Sequence, residues 1–416
     1  MFDNSKQAQF LVSFVGTICY FVSEIVTPLV QIVLECAGVR ITLLIGTIMI
    51  STGLVTSGFA TTVWHLYISQ GICYGVGISM IYLAIMTVIP QWFPQRCSTA
   101  TAISLSSIGL AGLVIPIIMY TSNSKLGGSW TFWILGIVYF GANILSCALI
   151  KEKSKNELTK GITNTSSNAT LVANKEGFPF DNKNKKEDAG SSISSLYNTS
   201  SVIGENKKTE EQLKLSKSIV KELLVDINFL TFTGAAFLQV LSRNVPFFFL
   251  PSYATFVGLN ATQGTSLISI ACAASFGGRI VVGVLADRIG NLYIGAIFSI
   301  ITGLSSLVIW MFAYSYPMLV VLAIIIGFSF DTYYILMPPT LLQILGRQKY
   351  TTGLSVLMVL TSPAILGPSL ISAVDGALDC EQFLPHKIFS GVLPILSSVI
   401  MLILRLRIKR QQKIEY

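Results

Sequence analysis

GVLADRIGNL, residues Gly283 to Leu292, sets a glycine, an Asp-Arg pair and a second glycine between two long apolar runs. The flanking runs, Leu267 to Ala286 and Leu292 to Ala313, are each about 20 residues long, enough to cross the roughly 30 Å bilayer core as helices. Asp287 and Arg288 therefore stand at a membrane surface, in a short turn between two passes. Outward from this turn the same reading gives eleven spans, at 9–33, 40–60, 65–89, 99–122, 130–150, 227–250, 263–286, 291–313, 317–339, 351–374 and 388–405. Backbone groups in hydrocarbon must pair within their own segment, so the spans are expected to be helices and the fold an all-α membrane protein.

Composition agrees. Hydrophobic residues make up 52% of the chain and charged residues 12%, more apolar surface than a soluble fold could cover. Short cytosolic loops of membrane proteins are enriched in Lys and Arg. One set of turns and ends holds Arg40, Arg96, Arg288, Arg347, Lys349, Arg405, Arg407, Lys409, Arg410 and Lys413, and the opposite set only Lys6, Lys125 and Lys387. The alternation never slips by one span, which predicts a cytosolic C-terminus and an exterior N-terminus. The net charge of +8 is thus an orientation signal spread along one membrane face, and nucleic-acid binding is not expected.

Between Lys151 and Asp226 the composition turns to Asn, Ser, Lys, Glu and Thr, in runs such as DNKNKKEDAG and SSISSLYNTS. The segment reads as a disordered cytosolic tether in which the sequons at Asn164, Asn168 and Asn198 stay unglycosylated; Asn260, on an exterior turn, is the one sequon open to use. The expected organisation is an N-terminal half of five spans (1–150), this linker (151–226), and a C-terminal half of six spans with a basic tail (227–416). A faint repeat joins the halves, QIVLECAGVR setting Glu35 and Gly38 where the later turn sets Asp287 and Gly290.

The stretch Gly283 to Gly290 fits the pattern GxLaDrxG and so resembles the signature of the major facilitator superfamily, whose members have twelve helices in two halves. VPFFFLPSYA (Val245 to Ala254), FGGRIVVGVLADRIG (Phe276 to Gly290) and QWFPQRCSTATAIS (Gln91 to Ser104) resemble its fungal monocarboxylate-transporter-like branch. The resemblance implies a two-half helical bundle in which residues 9–33 match the family's second helix, so that its first has no counterpart. It also implies a cytosolic latch at Gly283, Asp287, Arg288 and Gly290 that breaks as the halves rock. In the family's animal branch the eighth helix pairs an aspartate with an arginine one turn later; Arg279 matches the arginine, and Ser275 holds the aspartate's place.

Ionisable groups inside spans cost at least about 2.5–3.5 kcal/mol at a helix centre, so they persist where they face a cavity or a partner. The candidates are Glu24, Arg243, Arg279 and Asp331. Arg279, foremost, and Arg243 are the expected substrate contacts, since a guanidinium can grip a carboxylate with two parallel hydrogen bonds. For Arg279 the competing reading is a structural bond to Asp287 or a nearby carbonyl. Asp331 and Glu24 are the expected proton-coupling groups, and for Asp331 the competing reading is a static ion pair with Arg243 or Arg279. At the turn, Asp287 is expected to accept from Arg288 and from free N–H groups at the start of the next helix.

Two histidines, His65 and His386, fall near the exterior ends of separate spans, so no metal site or cofactor is expected, and no catalytic nucleophile lies beside a base. The chain reads as a secondary transporter, not an enzyme. It would move a small organic anion, a monocarboxylate or vitamin-like solute, by alternating access, as a monomer in the plasma or vacuolar membrane with lipid as its other partner. The alternative is a transporter-derived sensor, or a truncated and inactive carrier.

Overall fold

Apolar segments that leave water must satisfy their own backbone groups, and this chain does so with helices. The computed structural model describes residues 6–150, 218–377 and 382–414. Its helices are α1 (Lys6–Ile25), α2 (Thr27–Ser57), α3 (Val63–Leu66), α4 (Tyr74–Trp92), α5 (Cys97–Leu126), α6 (Gly128–Leu149), α7 (Ile227–Phe256), α8 (Ala261–Ile289), α9 (Asn291–Leu304), α10 (Tyr316–Ser329), α11 (Thr332–Thr361), α12 (Gly367–Ala377) and α13 (Leu384–Ile414). A π-helical turn at Tyr67–Cys73 joins α3 to α4, and another at Ser305–Ile309 extends α9.

Among the described residues, eight helical stretches are long and apolar enough to cross a membrane. One of them, Tyr316–Ala377, has 62 residues. As a straight helix it would reach about 90 Å, three times the bilayer core. It turns back instead at Gly346, where φ is 71° and ψ 175°, and α2 does the same at Gly38, where φ is 81° and ψ 170°. Gly127 and Gly290, with φ of 87° and 111°, make the turns from α5 to α6 and from α8 to α9. Each of these four glycines sits in an expected interhelical turn and takes a conformation that any side chain would strain. The expected spans at 9–33 and 227–250, outside those eight stretches for most of their length, fall on α1 with the first turns of α2 and on α7. Gly38 and Gly290, paired by the faint repeat, are both left-handed turns.

Residues Met1–Ile150 and Val220–Tyr416 belong to one compact unit. The expected tether lies outside the described residues as far as residue 217, its three sequons included. Its last part, 218–223, is a short helical stretch whose Leu223 is buried and whose Glu222 pairs with Lys349.

Small residues set where the helices cross. At Gly75 a Cβ would lie 2.8 Å from the Cys19 carbonyl oxygen, which holds α4 against α1. At Gly109 it would lie 2.9 Å from the Phe276 nitrogen, which holds α5 against α8. A close crossing joins α8 to α10: a Cβ on Gly278 would fall 2.1 Å from the Phe328 oxygen, and one on Gly327 2.3 Å from the Ala271 oxygen. That contact brings Arg279, the residue after Gly278, beside Asp331. Gly278→Ala is therefore expected to cost about 1–3 kcal/mol, because the atom it meets is main chain and cannot swing aside. Unfolding of the purified protein in mixed micelles measures it, with Gly234→Ala as the control because nothing lies within 4 Å of that added Cβ.

Candidate functional site

The four ionisable groups expected inside the spans converge on one cavity of about 190 Å³, lined by residues of α1, α4 and α5 from the first five passes and of α7, α8 and α11 from the last six. Asp331, at the break between α10 and α11, bonds both arginines, one carboxylate oxygen to Arg243 and the other to Arg279. Both readings of Asp331 as an ion-pair partner are thus met at once. A guanidinium is always charged, so a carboxylate shared between two is what makes this buried cluster affordable.

The two arginines differ in what else they do. Arg279 is 4% exposed and also donates to the Leu105 carbonyl of α5, so it ties the last six passes to the first five. Arg243 has Asp331 as its ion-pair partner, and its guanidinium lies over the rings of Phe330 and Tyr334, 4.8 and 4.4 Å from their centroids. The Nε–H of each arginine is buried without a hydrogen-bond partner, so the difference lies in the terminal N–H groups: Arg279 commits both ends of its fork, to Leu105 and Asp331, and Arg243 only one, to Asp331. Of the two, Arg243 has more left to offer a ligand.

Glu24 is buried in α1 and lines the same cavity as the arginine cluster. The Tyr334 hydroxyl donates to its Oε1 at 2.6 Å, and the Thr361 hydroxyl lies 3.2 Å from its Oε2. Its partners are hydroxyls, whereas Asp331 is held by two cations. The cavity group therefore carries no net charge when Glu24 is ionised and one positive charge when Glu24 is neutral.

A second junction lies at the face that carries Arg96, Arg288 and Arg347. Asp287 accepts from the backbone N–H groups of Ser98 at 3.1 Å and Thr99 at 2.8 Å, and from the Thr99 hydroxyl at 2.5 Å. These are the free donors of the first turn of α5, where a carboxylate also meets the positive end of the helix dipole. Gly283 makes room for this contact, since a Cβ there would fall 2.3 Å from the Ala102 Cβ. The same face is held at its other side by Gln31, which donates to Thr352 at 3.0 Å and Glu35 at 2.6 Å, and by Tyr350, whose hydroxyl donates to the Met86 carbonyl at 2.9 Å.

A sequence profile of the Major Facilitator Superfamily matches residues 4–368. The chain belongs to the Major Facilitator Superfamily. Similar proteins include the Saccharomyces cerevisiae "Uncharacterized transporter ESBP6", 22% identical across 92% of this chain and 51% of that one. The "Agnestins efflux protein AgnL12" of Paecilomyces divaricatus is 23% identical over 94% of this chain and 75% of its own, and human "Monocarboxylate transporter 7" 24% over 89% and 74%. The chain thus spans about half the length of the yeast relative. Among solved structures, the E. coli fucose:proton symporter FucP superposes with a TM-score of 0.63 at 13% identity, covering 96% of this chain and 91% of that one, a likeness of fold. It is an integral membrane protein of the superfamily's all-helical fold.

Within that superfamily frame, one expectation changes in detail. Asp287 is expected to serve the start of the next helix; it serves α5 instead, because it lies one turn after Gly283 on the face of α8 that packs against Ser98 and Thr99, while Arg288 is exposed. Ser275, which holds the family aspartate's place in the sequence, is buried with an unpartnered hydroxyl, and Asp331, at the break between α10 and α11, supplies Arg279 with a carboxylate. Sequence reasoning missed Tyr334, Thr361 and Tyr82. Tyr334 stands three residues after Asp331 and so shared its signal, but neutral hydroxyl residues in an apolar helix carry no mark of their own.

Proposed function

We propose that this chain is a secondary carrier that moves a small organic anion by alternating access around the central cavity, with a proton as coupling ion. The observation that carries the reading is the cavity's charge set: a buried arginine, Arg279, and a half-buried one, Arg243, share one carboxylate, and a second carboxyl, Glu24, is bonded by hydroxyls in the same cavity. A substrate carboxylate can take the fork of Arg243 while Arg279 keeps Asp331, so the cluster never holds an unpaired cation. Arg243 thus becomes the principal substrate contact and Arg279 the tie between the two sets of passes. Apolar and aromatic lining, including Tyr20, Ile108 and Phe330, suits a solute with a hydrophobic body.

Proton coupling follows from the charge count. Neutral Glu24 leaves the cavity one positive charge in excess, which favours an anion, and loss of that proton removes the excess. Anion binding is therefore strongest at low pH and weakens as pH rises. Movement of the halves would require the Asp287 contact to α5 and its neighbours to break, opening the basic face. Charge bias favours a cytosolic side for that face and the C-terminus, and the reading takes the protein to act as a monomer in the plasma or vacuolar membrane.

The test is counterflow of radiolabelled benzoate, nicotinate and lactate in proteoliposomes. Saturable exchange above empty vesicles is expected, and Arg243→Gln should weaken apparent affinity by about tenfold to a hundredfold, the worth of one charged hydrogen bond. Arg243→Gln leaves Asp331 paired with Arg279, so the protein should still fold. No exchange of any of the three, from folded protein, would remove the carrier reading in favour of a sensor; wild-type affinity in the variant would remove the assignment of Arg243.

A further inference from the structure

We infer that Tyr334 is the positioning residue that links the anion site to the proton site, its ring holding Arg243 and its hydroxyl holding Glu24. The inference rests on the carrier reading above and concerns how its two ligands communicate. The ring centroid of Tyr334 lies 4.4 Å from the Arg243 guanidinium carbon, and its hydroxyl oxygen lies 2.6 Å from Glu24 Oε1. One rigid side chain thus touches the cation that receives the substrate and the carboxyl that exchanges the proton. Its place is fixed from behind by the edge-on ring of Tyr333, 5.1 Å between centroids.

Geometry makes the link run both ways. An arginine that turns toward an incoming carboxylate leaves the face of the Tyr334 ring, and a shift of that ring lengthens the hydroxyl's bond to Glu24. Conversely, a Glu24 that takes a proton changes from a charged to a neutral acceptor, which weakens the bond that anchors Tyr334. The same bond joins α1 to α11, so the event at the cavity is felt at a contact between the first five and the last six passes.

Other groups facing this carboxyl are Tyr82 of α4, whose buried hydroxyl has no hydrogen-bond partner, Arg243 of α7, Arg279 of α8, and Asp331, Tyr333 and Thr361 of the α11 region. Arg279 and Asp331 are occupied with each other and with Leu105. Tyr82 and Tyr333 also bring hydroxyls to that side but neither bonds Glu24, and Thr361 bonds Glu24 without touching Arg243, which leaves Tyr334 as the one of these side chains in contact with both charged sites.

The experiment is calorimetric titration of benzoate into the full chain in nanodiscs, at pH 5.5 and 7.5 and in two buffers of different ionisation enthalpy, which reads affinity and protons taken up together. For the wild type we expect affinity to fall with rising pH and uptake approaching about one proton per benzoate within the sensitive range. Tyr334→Phe keeps the ring and loses the hydroxyl: proton uptake should fall by more than about half, while affinity at pH 5.5 falls less than in Arg243→Gln. Glu24→Gln should abolish proton uptake, and adding Tyr334→Phe to it should change the pH profile no further, the non-additivity expected of one pathway. Tyr334→Leu, without the ring, should lose affinity as well.

Unaltered proton uptake in Tyr334→Phe would overturn the inference, as would additive effects of Tyr334→Phe and Glu24→Gln. Affinity losses in Tyr334→Phe equal to those in Arg243→Gln would overturn it too, because the hydroxyl would then serve only the fold. A wild type that binds none of benzoate, nicotinate and lactate would instead overturn the carrier reading, an outcome distinct from all of these.

Discussion

Asp331→Asn should abolish transport and lower stability by about 3–5 kcal/mol, the cost of leaving a buried charge uncompensated. Arg243 and Arg279 both take their ionic partner from this one carboxylate, so a single substitution strands two permanent cations in low dielectric. Monodisperse yield after detergent extraction and thermal unfolding of the purified protein measure the loss. A second change sharpens the test. Ser275 lies one helical turn before Arg279, is buried, and has an unpartnered hydroxyl, so Asp331→Asn with Ser275→Asp returns a carboxylate to the cluster at i, i+4 from the arginine. The double variant should regain much of the lost stability, since Arg279 is paired again, yet not full transport, since Arg243 remains without Asp331. Equal stability of Asp331→Asn and wild type would contradict the account of the cluster.

Asp287→Ala is the second large effect expected. Its carboxylate bonds two backbone donors and a hydroxyl at the start of α5, across the junction between the two sets of passes. Charged hydrogen bonds of this kind are worth about 1.5–3 kcal/mol, so the variant should shift the equilibrium away from the closed basic face by roughly tenfold to a hundredfold. Cys97 reports the shift, because it is 5% exposed beside Ser98 and would meet solvent when this face opens. In a background where Cys97 is the sole cysteine, the rate of maleimide labelling should rise at least about tenfold in Asp287→Ala. Asp287→Asn keeps the shape and loses the charge, and should fall between the two. A labelling rate unchanged by both substitutions would show that other contacts, such as Gln31 with Thr352, suffice to hold the face shut.

How far each part could be read in advance differs by the kind of signal. The turns at Gly38, Gly127, Gly290 and Gly346 were foreseeable because an apolar run must end when the bilayer does, and the chain reverses most cheaply at a residue without a Cβ. Arg243, Arg279, Asp331 and Glu24 stood out because a charge in an apolar helix is costly and therefore conspicuous. Their partners did not stand out. Arg279 had a nearer carboxylate along the chain in Asp287, two turns away on the same helix, yet Asp331 takes it, because Gly278 and Gly327 let α8 and α10 approach within van der Waals contact.

Asp287 gives the same lesson at the membrane surface. Its neighbours in the chain, Arg288 and the start of α9, are adjacent in one dimension, while the donors that hold it belong to Ser98 and Thr99. Residue order alone determined the passes, their alternation about a basic face, and which side chains were too expensive to be idle, since hydropathy and charge are properties of single positions summed over a window. Which carboxylate meets which cation, and that Tyr334 lies between two of them, depends on the rotation and crossing of helices distant in the chain, and only the packed bundle decides that.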